Sequence, residues 1–215
     1  MKIYIVRHGE TEANKSGLLQ GWSDTALSEL GIKLAEYTGE GLKDIKFDAV
    51  FSSPLKRAYD TAKIIMSKNN FNDIEIKTDD RLKELSMGDW EGKCIKGDKA
   101  ELPLDKIKIF FKNPFLLEAF PNGEDARMVC ERTQNFLHEL VSKHDYENVL
   151  IATHGFATRA ILNFMYEDKE NFWQGNVPLN CSVNIIEYKN GEFKFVEKDK
   201  IYYSKDIVVD RYKIK

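Results

Sequence analysis

The chain has 215 residues and a mass of 24.9 kDa, a length that predicts one domain with room for an inserted segment. With 42% hydrophobic and 31% charged residues, the composition excludes a disordered polyelectrolyte and a membrane bundle. The net charge of −3 gives no general attraction to nucleic acid or to an anionic membrane, so an anion would have to bind in a local pocket.

The cysteines and the N-terminus indicate a cytoplasmic protein. Cys94, Cys130 and Cys181 lie far apart and lack the spacing of metal ligands, which favours reduced thiols. The apolar run at residues 3–6 is too short for the core of a signal peptide, and no run approaches the ~18 apolar residues of a membrane helix.

Strand and helix signals alternate along the first half of the chain. Residues 2–6 are β-branched and aromatic, as in a strand, and Ser28 has the position of an N-cap for the helix that follows. A second strand is predicted over 48–52. Ser53 and Pro54 then resemble the N-cap and the first position of another helix.

The second half of the chain continues this alternation. Its signals predict a short strand, a long helix, a buried strand with a helix after it, and a hairpin. In chain order these elements lie at residues 74–77, 125–141, 149–153, 156–165 and 182–196. Asp125 is the expected N-cap of the long helix, and Asn190-Gly191 is a strong signal for the hairpin turn.

Strands that alternate with helices predict an α/β fold, a three-layer α/β/α sandwich with a mostly parallel central sheet. Residues 93–123 interrupt the alternation with three prolines and several phenylalanines, and they predict an inserted lid segment over one edge of the sheet. Because no repeat or linker divides the chain, we expect residues 1–215 to form a single domain.

Cationic and imidazole side chains follow three of the predicted strands. Arg7 and His8 come after the first strand, Arg57 comes shortly after the second, and His154 follows the strand at 149–153. Because the carboxyl ends of parallel strands meet at one edge of a sheet, we expect these side chains in one crevice. Arginine forks, helix N-termini and a neutral imidazole suit a phosphoryl group, so the cluster predicts phosphate chemistry.

A proton donor and two glycines complete the candidate site. Glu84 is the best carboxylic acid candidate, because a carboxyl beside Trp90 and partly withdrawn from water could hold its proton near neutral pH. Gly9 and Gly155 follow the two histidines and would allow the backbone to approach a ligand closely.

Six short blocks extend this pattern along most of the chain. They are R-H-G-E-T with Asn14, Q-G-W-S-D with Gly31, S-S-P-L-K-R-A with Thr61, Leu82 and Glu84 with G-D-W-E-G, P-N-G-E-D, and T-H-G. In this order the blocks resemble the histidine phosphatase superfamily, the phosphoglycerate mutase-like proteins. A lone R-H-G would carry little weight, whereas six blocks in the family order are specific.

The resemblance implies a role for each site residue. His8 would be the nucleophile that becomes phosphohistidine, and Glu84 would protonate the leaving oxygen and then activate water. Arg7, Arg57 and a protonated His154 would hold the phosphoryl oxygens. Further contacts to the phosphate or substrate would come from Thr11, Asn14, Gln20, Gly21 and Gly155. Family members need no metal, so we expect no cofactor, and the partner would be a small phosphorylated substrate.

Three functions remain open within this resemblance. The segment after Glu84, L-S-M-G-D-W-E-G, looks more like the phosphatase branches, which favours a phosphomonoesterase. A phosphoglycerate mutase would use the same pocket but would return the phosphoryl group to a second hydroxyl. A non-catalytic phosphate-binding module ranks last, because such proteins usually lose the nucleophile or the acid.

Two further segments have alternative interpretations. Lysines stand at positions 93, 96, 99, 106, 108 and 112. They are either a solvated helical face or groups of the lid that meet a second anionic group on the substrate. The tail at 197–215 could add a strand or form the interface of a homo-oligomer.

Overall fold

A six-stranded sheet forms the centre of the fold. The computed structural model describes residues 1–95 and 101–207. In chain order the strands are β1 (Lys2–Arg7), β2 (Ala49–Ser52), β3 (Ile76–Thr78), β4 (Asn148–Thr153), β5 (Val183–Lys189) and β6 (Glu192–Lys200). Their order across the sheet is β3-β2-β4-β1-β5-β6. The first four are parallel and the last two form an antiparallel hairpin, so the mostly parallel sheet is confirmed.

Helices cover both faces of this sheet. They are α1 (Glu12–Ser16), α2 (Glu29–Leu42), α3 (Lys56–Lys68), α4 (Leu104–Lys112), α5 (Ala126–Lys143) and α6 (Gly155–Leu162). Because side chains alternate along a strand, Ile5 of β1 packs in a cluster with Leu137 of α5, while Val6 packs in another with Ile65 of α3. The predicted three-layer α/β/α arrangement is therefore confirmed.

Most of the predicted element ends are confirmed. Ser28 caps α2, since its side chain accepts the Gly31 N–H, and Asp125 caps α5 in the same way. Asn190 and Gly191 turn the chain between β5 and β6 with φ angles of 55° and 84°, the left-handed region that this pair of residues favours.

Other predicted elements differ in their bounds. The strand expected at 74–77 is β3, and the last turn of the helix expected at 156–165 is a 3₁₀ helix at Asn163–Met165. For the tail at 197–215, the alternatives were an added strand or an oligomer interface, and residues 197–200 form the end of strand β6. Residues 208–215 lie outside the described part of the chain.

Helix α3 begins later than predicted. Ser53 is not its N-cap, because the helix begins at Lys56 after Leu55, whose side chain makes no capping bond. Ser53 Oγ instead accepts the Leu55 N–H at 3.3 Å and lies 2.8 Å from His154 Nε2. The hydroxyl expected to cap a helix is thus bonded to a predicted site residue.

Aromatic packing fixes the segment that was predicted to be a lid. In residues 101–123, α4 turns Ile107 and Phe110 inward. The ring of Phe110 stacks on Phe156 of α6 with a centroid distance of 5.7 Å, and its carbonyl accepts the indole N–H of Trp173 at 2.8 Å. These contacts hold α4 against the sandwich at the start of α6.

Across the two described ranges, none of the helices combines the length and the apolar character that crossing a bilayer would require.

Candidate active site

Neighbouring central strands lead into the site. β2, β4 and β1 lie side by side, and their carboxyl ends continue into Ser53, His154 and His8. Backbone bonds of 2.9 Å join these ends, because the His8 and Ser53 N–H groups donate to carbonyls at the end of β4. The residues predicted to share one crevice are therefore brought to the same edge of the sheet.

A cleft opens at this edge. The predicted site residues that line it are Arg7, His8, Asn14, Gln20, Glu84 and Gly155. Much of the remaining wall is apolar and includes Leu19, Phe110, Phe111, Trp173 and Val177. The cleft thus combines a group of charged and imidazole side chains with an aromatic wall that comes partly from α4.

His8 presents a free lone pair. Its Nδ1 lies 2.7 Å from the carbonyl oxygen of Gly9. A carbonyl only accepts, so Nδ1 carries the proton and Nε2 keeps its lone pair. Burial, followed by the positive charges of Arg57 and Arg7, holds the pKa of His8 well below its usual value. The ring is therefore neutral at neutral pH, the form in which imidazole can attack phosphorus.

The two arginines are held by backbone carbonyls. Arg57 donates from Nη1 to Ser23 O at 2.8 Å and from Nη2 to Gly21 O at 2.6 Å. Burial lowers the pKa of Arg57 to about 10, which leaves it charged at neutral pH. Arg7 donates from Nη1 to the carbonyl of Pro178. The carbonyl that binds Arg57 Nη2 belongs to Gly21, whose predicted contact with the ligand stays a prediction.

Glu91 organises the loop that holds Arg57. Its carboxylate accepts the N–H groups of Gly21 at 3.0 Å, Trp22 at 2.7 Å and Ser23 at 3.3 Å. Since Gly21 and Ser23 provide the carbonyls for Arg57, Glu91 sets the position of that arginine indirectly. The sequence interpretation missed this role, for which the G-D-W-E-G block was the available signal.

His154 packs beside His8, with 5.1 Å between the ring centroids. Nε2 of His154 shares a hydrogen bond of 2.8 Å with Ser53 Oγ, which also accepts the Leu55 N–H. Nδ1 of His154 is buried and has no hydrogen-bond partner within residues 1–95 and 101–207.

The resemblance implies a His154 that is protonated in the transition state. In the site without a ligand, burial and then the positive charge of Arg57 hold the pKa of His154 well below its usual value, which favours the neutral ring. A neutral imidazole still has one N–H group that can donate a hydrogen bond. A phosphoryl dianion beside it would raise this pKa.

Glu84 is anchored at the N-terminus of α6. Its Oε1 accepts the N–H groups of Leu85 and Ala157, both at 3.0 Å, and Oε2 accepts that of Phe156 at 3.1 Å. Burial raises the pKa of Glu84 and outweighs these bonds and the charge of Arg57, which act to lower it. The carboxyl therefore keeps a proton to higher pH than an exposed glutamic acid.

One expectation about the surroundings of the site is wrong. The N–H groups at the start of α6 were expected to be free for phosphate, but they bind Glu84. The Lys56 N–H at the start of α3 likewise donates to Asp24 Oδ2 at 3.0 Å. Because these N–H groups are already bonded, a phosphate here would be held mainly by side chains.

Trp90 packs on Phe120 with 4.9 Å between the ring centroids, so it belongs to an aromatic cluster.

Thr11 positions its neighbours rather than lining the cleft. Its Oγ1 accepts the Asn14 N–H at 3.1 Å and donates to Gln20 Oε1 at 2.8 Å. Asn14 Oδ1 in turn accepts the Thr11 N–H at 3.2 Å, which completes a capping box at the start of α1. The predicted contacts of Asn14 and Gln20 agree with their place on the cleft wall.

Close packing explains the glycines after the two histidines. A Cβ on Gly155 would lie 3.2 Å from Arg7 Nε, so the guanidinium lies directly against this backbone. A Cβ on Gly9 would lie 2.5 Å from the carbonyl oxygen of Gly31, closer than packing allows. Glycine at these positions lets the strand end and two helix starts come together.

The lysines of α4 favour one of the two interpretations left open above. Lys106, Lys108 and Lys112 are exposed, whereas Ile107 and Phe110 of the same helix are buried. This arrangement is typical of a solvated face and turns the apolar side of α4 towards the cleft. Lys96 and Lys99 lie outside the described residues.

The groups suited to an anion in this site are Arg7, Arg57 and His154. In the part of the chain that the structure describes, no group of three or more histidine, cysteine, aspartate or glutamate side chains is arranged to hold a metal ion.

Comparison with known proteins gives the family. The chain matches the sequence model of the Histidine phosphatase superfamily (branch 1) over residues 3–200. The chain belongs to this superfamily. In this histidine phosphatase superfamily member the cleft is lined by residues of four of the six blocks, among them His8, Gln20, Glu84 and Gly155.

Its relatives include both hydrolases and a mutase. It is 32% identical to a phosphoglycerate mutase of Schizosaccharomyces pombe, over 93% of this chain and 95% of that protein. It is 35% identical to the metal-independent phosphoserine phosphatase of Arabidopsis thaliana, over 88% of this chain and 77% of that protein. The solved structure of Bacillus stearothermophilus YhfR matches with a TM-score of 0.84 at 31% identity, covering 93% and 97% of the two chains. Membership of the superfamily therefore leaves the choice of reaction to the site itself.

Proposed function

We propose that this protein is a phosphomonoesterase, which hydrolyses a small phosphorylated metabolite through a phosphohistidine on His8. The observation that carries the proposal is the neutral His8 ring, whose Nε2 lone pair is available in a cleft shared with Arg7 and Glu84. We also propose a cytoplasmic location, on the thiol pattern described above.

Each half of the reaction uses Glu84 in a different form. First, Nε2 of His8 attacks phosphorus, the bond from phosphorus to the leaving oxygen breaks, and protonated Glu84 gives its proton to that oxygen. Then water attacks the phosphohistidine, Glu84 takes a proton from the water, and the bond between phosphorus and Nε2 breaks to release inorganic phosphate. Arg7, Arg57 and His154 donate hydrogen bonds to the phosphoryl oxygens in both steps.

The directions of the pKa shifts support a neutral His8 nucleophile and a protonated Glu84 acid in the same pH range. A lowered pKa keeps His8 in its neutral, nucleophilic form, and a raised pKa helps Glu84 to hold the proton that the leaving oxygen needs. The charged Arg57 supplies the positive charge that a phosphoryl dianion requires.

The wall of the cleft supports an apolar or aromatic leaving group. Phe110, Phe111 and Trp173 provide much of the surface around the polar groups. A carboxylate such as that of phosphoglycerate or phosphoserine would lose hydration against these rings, whereas an aryl or alkyl group would gain by burial. This contrast favours hydrolysis of apolar monoesters over a mutase reaction.

The alternative is a phosphoglycerate mutase, which the fission-yeast relative supports. It would use the same phosphohistidine but would return the phosphoryl group to a second hydroxyl. A non-catalytic phosphate-binding module is the least supported function, since the candidate nucleophile and acid are both present.

Phosphorus NMR tests the choice between these reactions. The protein would be given 1-naphthyl phosphate and, separately, 3-phosphoglycerate with a trace of 2,3-bisphosphoglycerate. We expect inorganic phosphate from the naphthyl ester, its loss in His8→Ala, and no change in His144→Ala, which removes an exposed histidine. Formation of 2-phosphoglycerate without free phosphate would overturn the proposal in favour of the mutase. Activity within about tenfold of wild type in His8→Ala would refute the mechanism.

A further inference from the structure

An arginine outside the cleft binds the segment that carries Glu84. Arg132 of α5 donates from Nη1 to the carbonyls of Arg81 and Lys83, both at 2.8 Å. From Nη2 it donates to the carbonyl of Glu84 itself at 2.9 Å. One side chain therefore fixes three carbonyls within four residues, and the last of these belongs to the proposed acid.

Glu124 completes this clamp. Its Oε1 accepts from Arg132 Nε at 2.7 Å and its Oε2 from Nη2 at 2.8 Å, which makes a two-pronged ion pair. Oε2 also accepts the Ser86 N–H at 2.9 Å. The chain is thus bound just before, at and just after Glu84.

The environment makes this clamp firmer than a surface ion pair. The side chains of Arg132 and Glu124 are 17% and 12% exposed. Charge-assisted, two-pronged bonds at such low exposure keep a defined geometry, unlike the mobile pairs of a protein surface. The hydrogen bonds of Arg132 use every N–H that a guanidinium has, so a lysine could not reproduce them.

The position of Glu84 matters more than that of an ordinary buried residue. A general acid must bring its proton within hydrogen-bond reach of the leaving oxygen, and a displacement of about 1 Å can cost about 100-fold in rate. The side chain of Glu84 is held by α6, and its carbonyl is held by Arg132 and by the Trp22 indole N–H at 2.8 Å.

We propose that Arg132, paired with Glu124, is a positioning residue for the proton-transfer step. It sets where the Glu84 carboxyl lies relative to the leaving oxygen, and it lies outside the lining of the cleft. This inference rests on the proposed role of Glu84 as general acid. A clamp that served the fold alone would affect all substrates equally.

Leaving groups that differ in basicity distinguish these two roles. The variants are Arg132→Lys and Glu124→Gln, with Arg127→Lys as the matched control, because Arg127 is an exposed arginine on the same helix. For each variant, kcat/KM would be measured with p-nitrophenyl phosphate and with an alkyl phosphate, together with the thermal unfolding midpoint. p-Nitrophenolate leaves without a proton, whereas an alkoxide needs one.

We expect Arg132→Lys to lower kcat/KM for the alkyl phosphate about 100-fold and for p-nitrophenyl phosphate less than about fivefold. Glu124→Gln should show the same selectivity with a smaller loss, and Arg127→Lys should match the wild type. Glu124→Gln keeps the size of the side chain and an oxygen that can accept the Ser86 N–H. If Arg132→Lys unfolds, kcat/KM of Glu124→Gln for the two substrates therefore still tests the inference. Equal losses on both substrates in the folded variants, or no loss, would overturn the inference.

A parallel measurement on Glu84→Gln separates the two possible failures. If Glu84→Gln lacks the selective loss on the alkyl phosphate, then the acid role of Glu84 fails and the clamp has nothing to position. If Glu84→Gln shows that loss but the folded clamp variants do not, then Glu84 is the acid and the positioning role of Arg132 is refuted.

Discussion

Burial acts in opposite directions on two residues that share the cleft. Withdrawal from water disfavours the charged form of each, so it lowers the pKa of His8 and raises that of Glu84. In water at neutral pH, a glutamic acid would have lost the proton that the leaving oxygen needs. In the proposed mechanism, the same desolvation prepares His8 as the nucleophile and Glu84 as the acid.

These shifts predict the pH dependence of kcat/KM for an alkyl phosphate. Activity needs neutral His8, so it should rise with pH through the lowered pKa of His8, well below 6.5. It also needs protonated Glu84, so it should fall as pH rises through the raised pKa of Glu84, above 4.5. The profile would be measured by steady-state kinetics after correction for ionisation of the substrate.

Glu84→Gln is the control for this profile, since it should remove the alkaline limb and leave the acidic limb in place. An acidic limb at or above pH 6.5, or an alkaline limb that survives the substitution, would contradict the assignment of the two groups.

The site residues differ in how far they could be predicted from the sequence. Arg7, His8 and His154 stand directly at strand ends, where a local pattern indicates them. Ser53 and Arg132 have no such pattern, because their roles depend on partners about a hundred residues away and about fifty residues away in the chain. The lowered pKa of His154 could not be predicted either, because it depends on the burial that the whole fold produces.

At the scale of secondary-structure elements, α4 brings the aromatic wall to the cleft. Phe110 is buried between α6 and its own segment, and its carbonyl is bonded to Trp173. The sequence interpretation expected a lid here and left open whether lysines faced the substrate. In the structure, Phe110 and Phe111 line the cleft. The run I-F-F at 109–111 is compatible with this placement but does not by itself predict which side of α4 faces the cleft.

Phe110→Ala tests what α4 contributes. We expect it to lower the free energy of unfolding by about 3–5 kcal/mol, because it leaves a cavity among packed rings. It should also lower kcat/KM for 1-naphthyl phosphate about tenfold, since an aromatic contact is lost. Chemical denaturation and steady-state kinetics measure the two effects.

The matched control is Leu116→Ala in the same segment, where the side chain is 71% exposed and a change below about 0.5 kcal/mol is expected. A fully stable Phe110→Ala variant with unchanged kinetics would show that α4 does not form the wall.

Boundaries of elements were predictable where a side chain caps its own helix. Ser28 and Asp125 do so, and α2 and α5 begin where expected. At α3 the Ser-Pro pair suggested the same, but Asp24 caps the Lys56 N–H from another loop, so the helix begins later. A cap supplied from a distant part of the chain leaves no local signal.

For the whole molecule, the alternation of strands and helices was enough to predict an α/β sandwich. The strand order was not predictable, because β4 inserts between β1 and β2 and pairs with residues 146 and 100 positions away, respectively. That insertion brings His154 beside His8. The molecule carries a net charge of −3, yet Arg7 and Arg57 are only 4% and 0% exposed at the site. The proposed attraction for a phosphoryl group therefore comes from buried side chains at the site rather than from the overall charge.

The central claim is that His8 carries the phosphoryl group during turnover. Its most direct test is to quench the reaction with 1-naphthyl phosphate in alkaline denaturant, where phosphohistidine survives, and to locate the phosphoryl group by mass spectrometry of the peptides. We expect it on His8 and absent from His8→Ala. With p-nitrophenyl phosphate as the donor, whose leaving group needs no proton, we expect a higher level in Glu84→Gln because attack by water is slowed. Hydrolysis that continues with no phosphoenzyme, or with the phosphoryl group on another residue, would contradict the account.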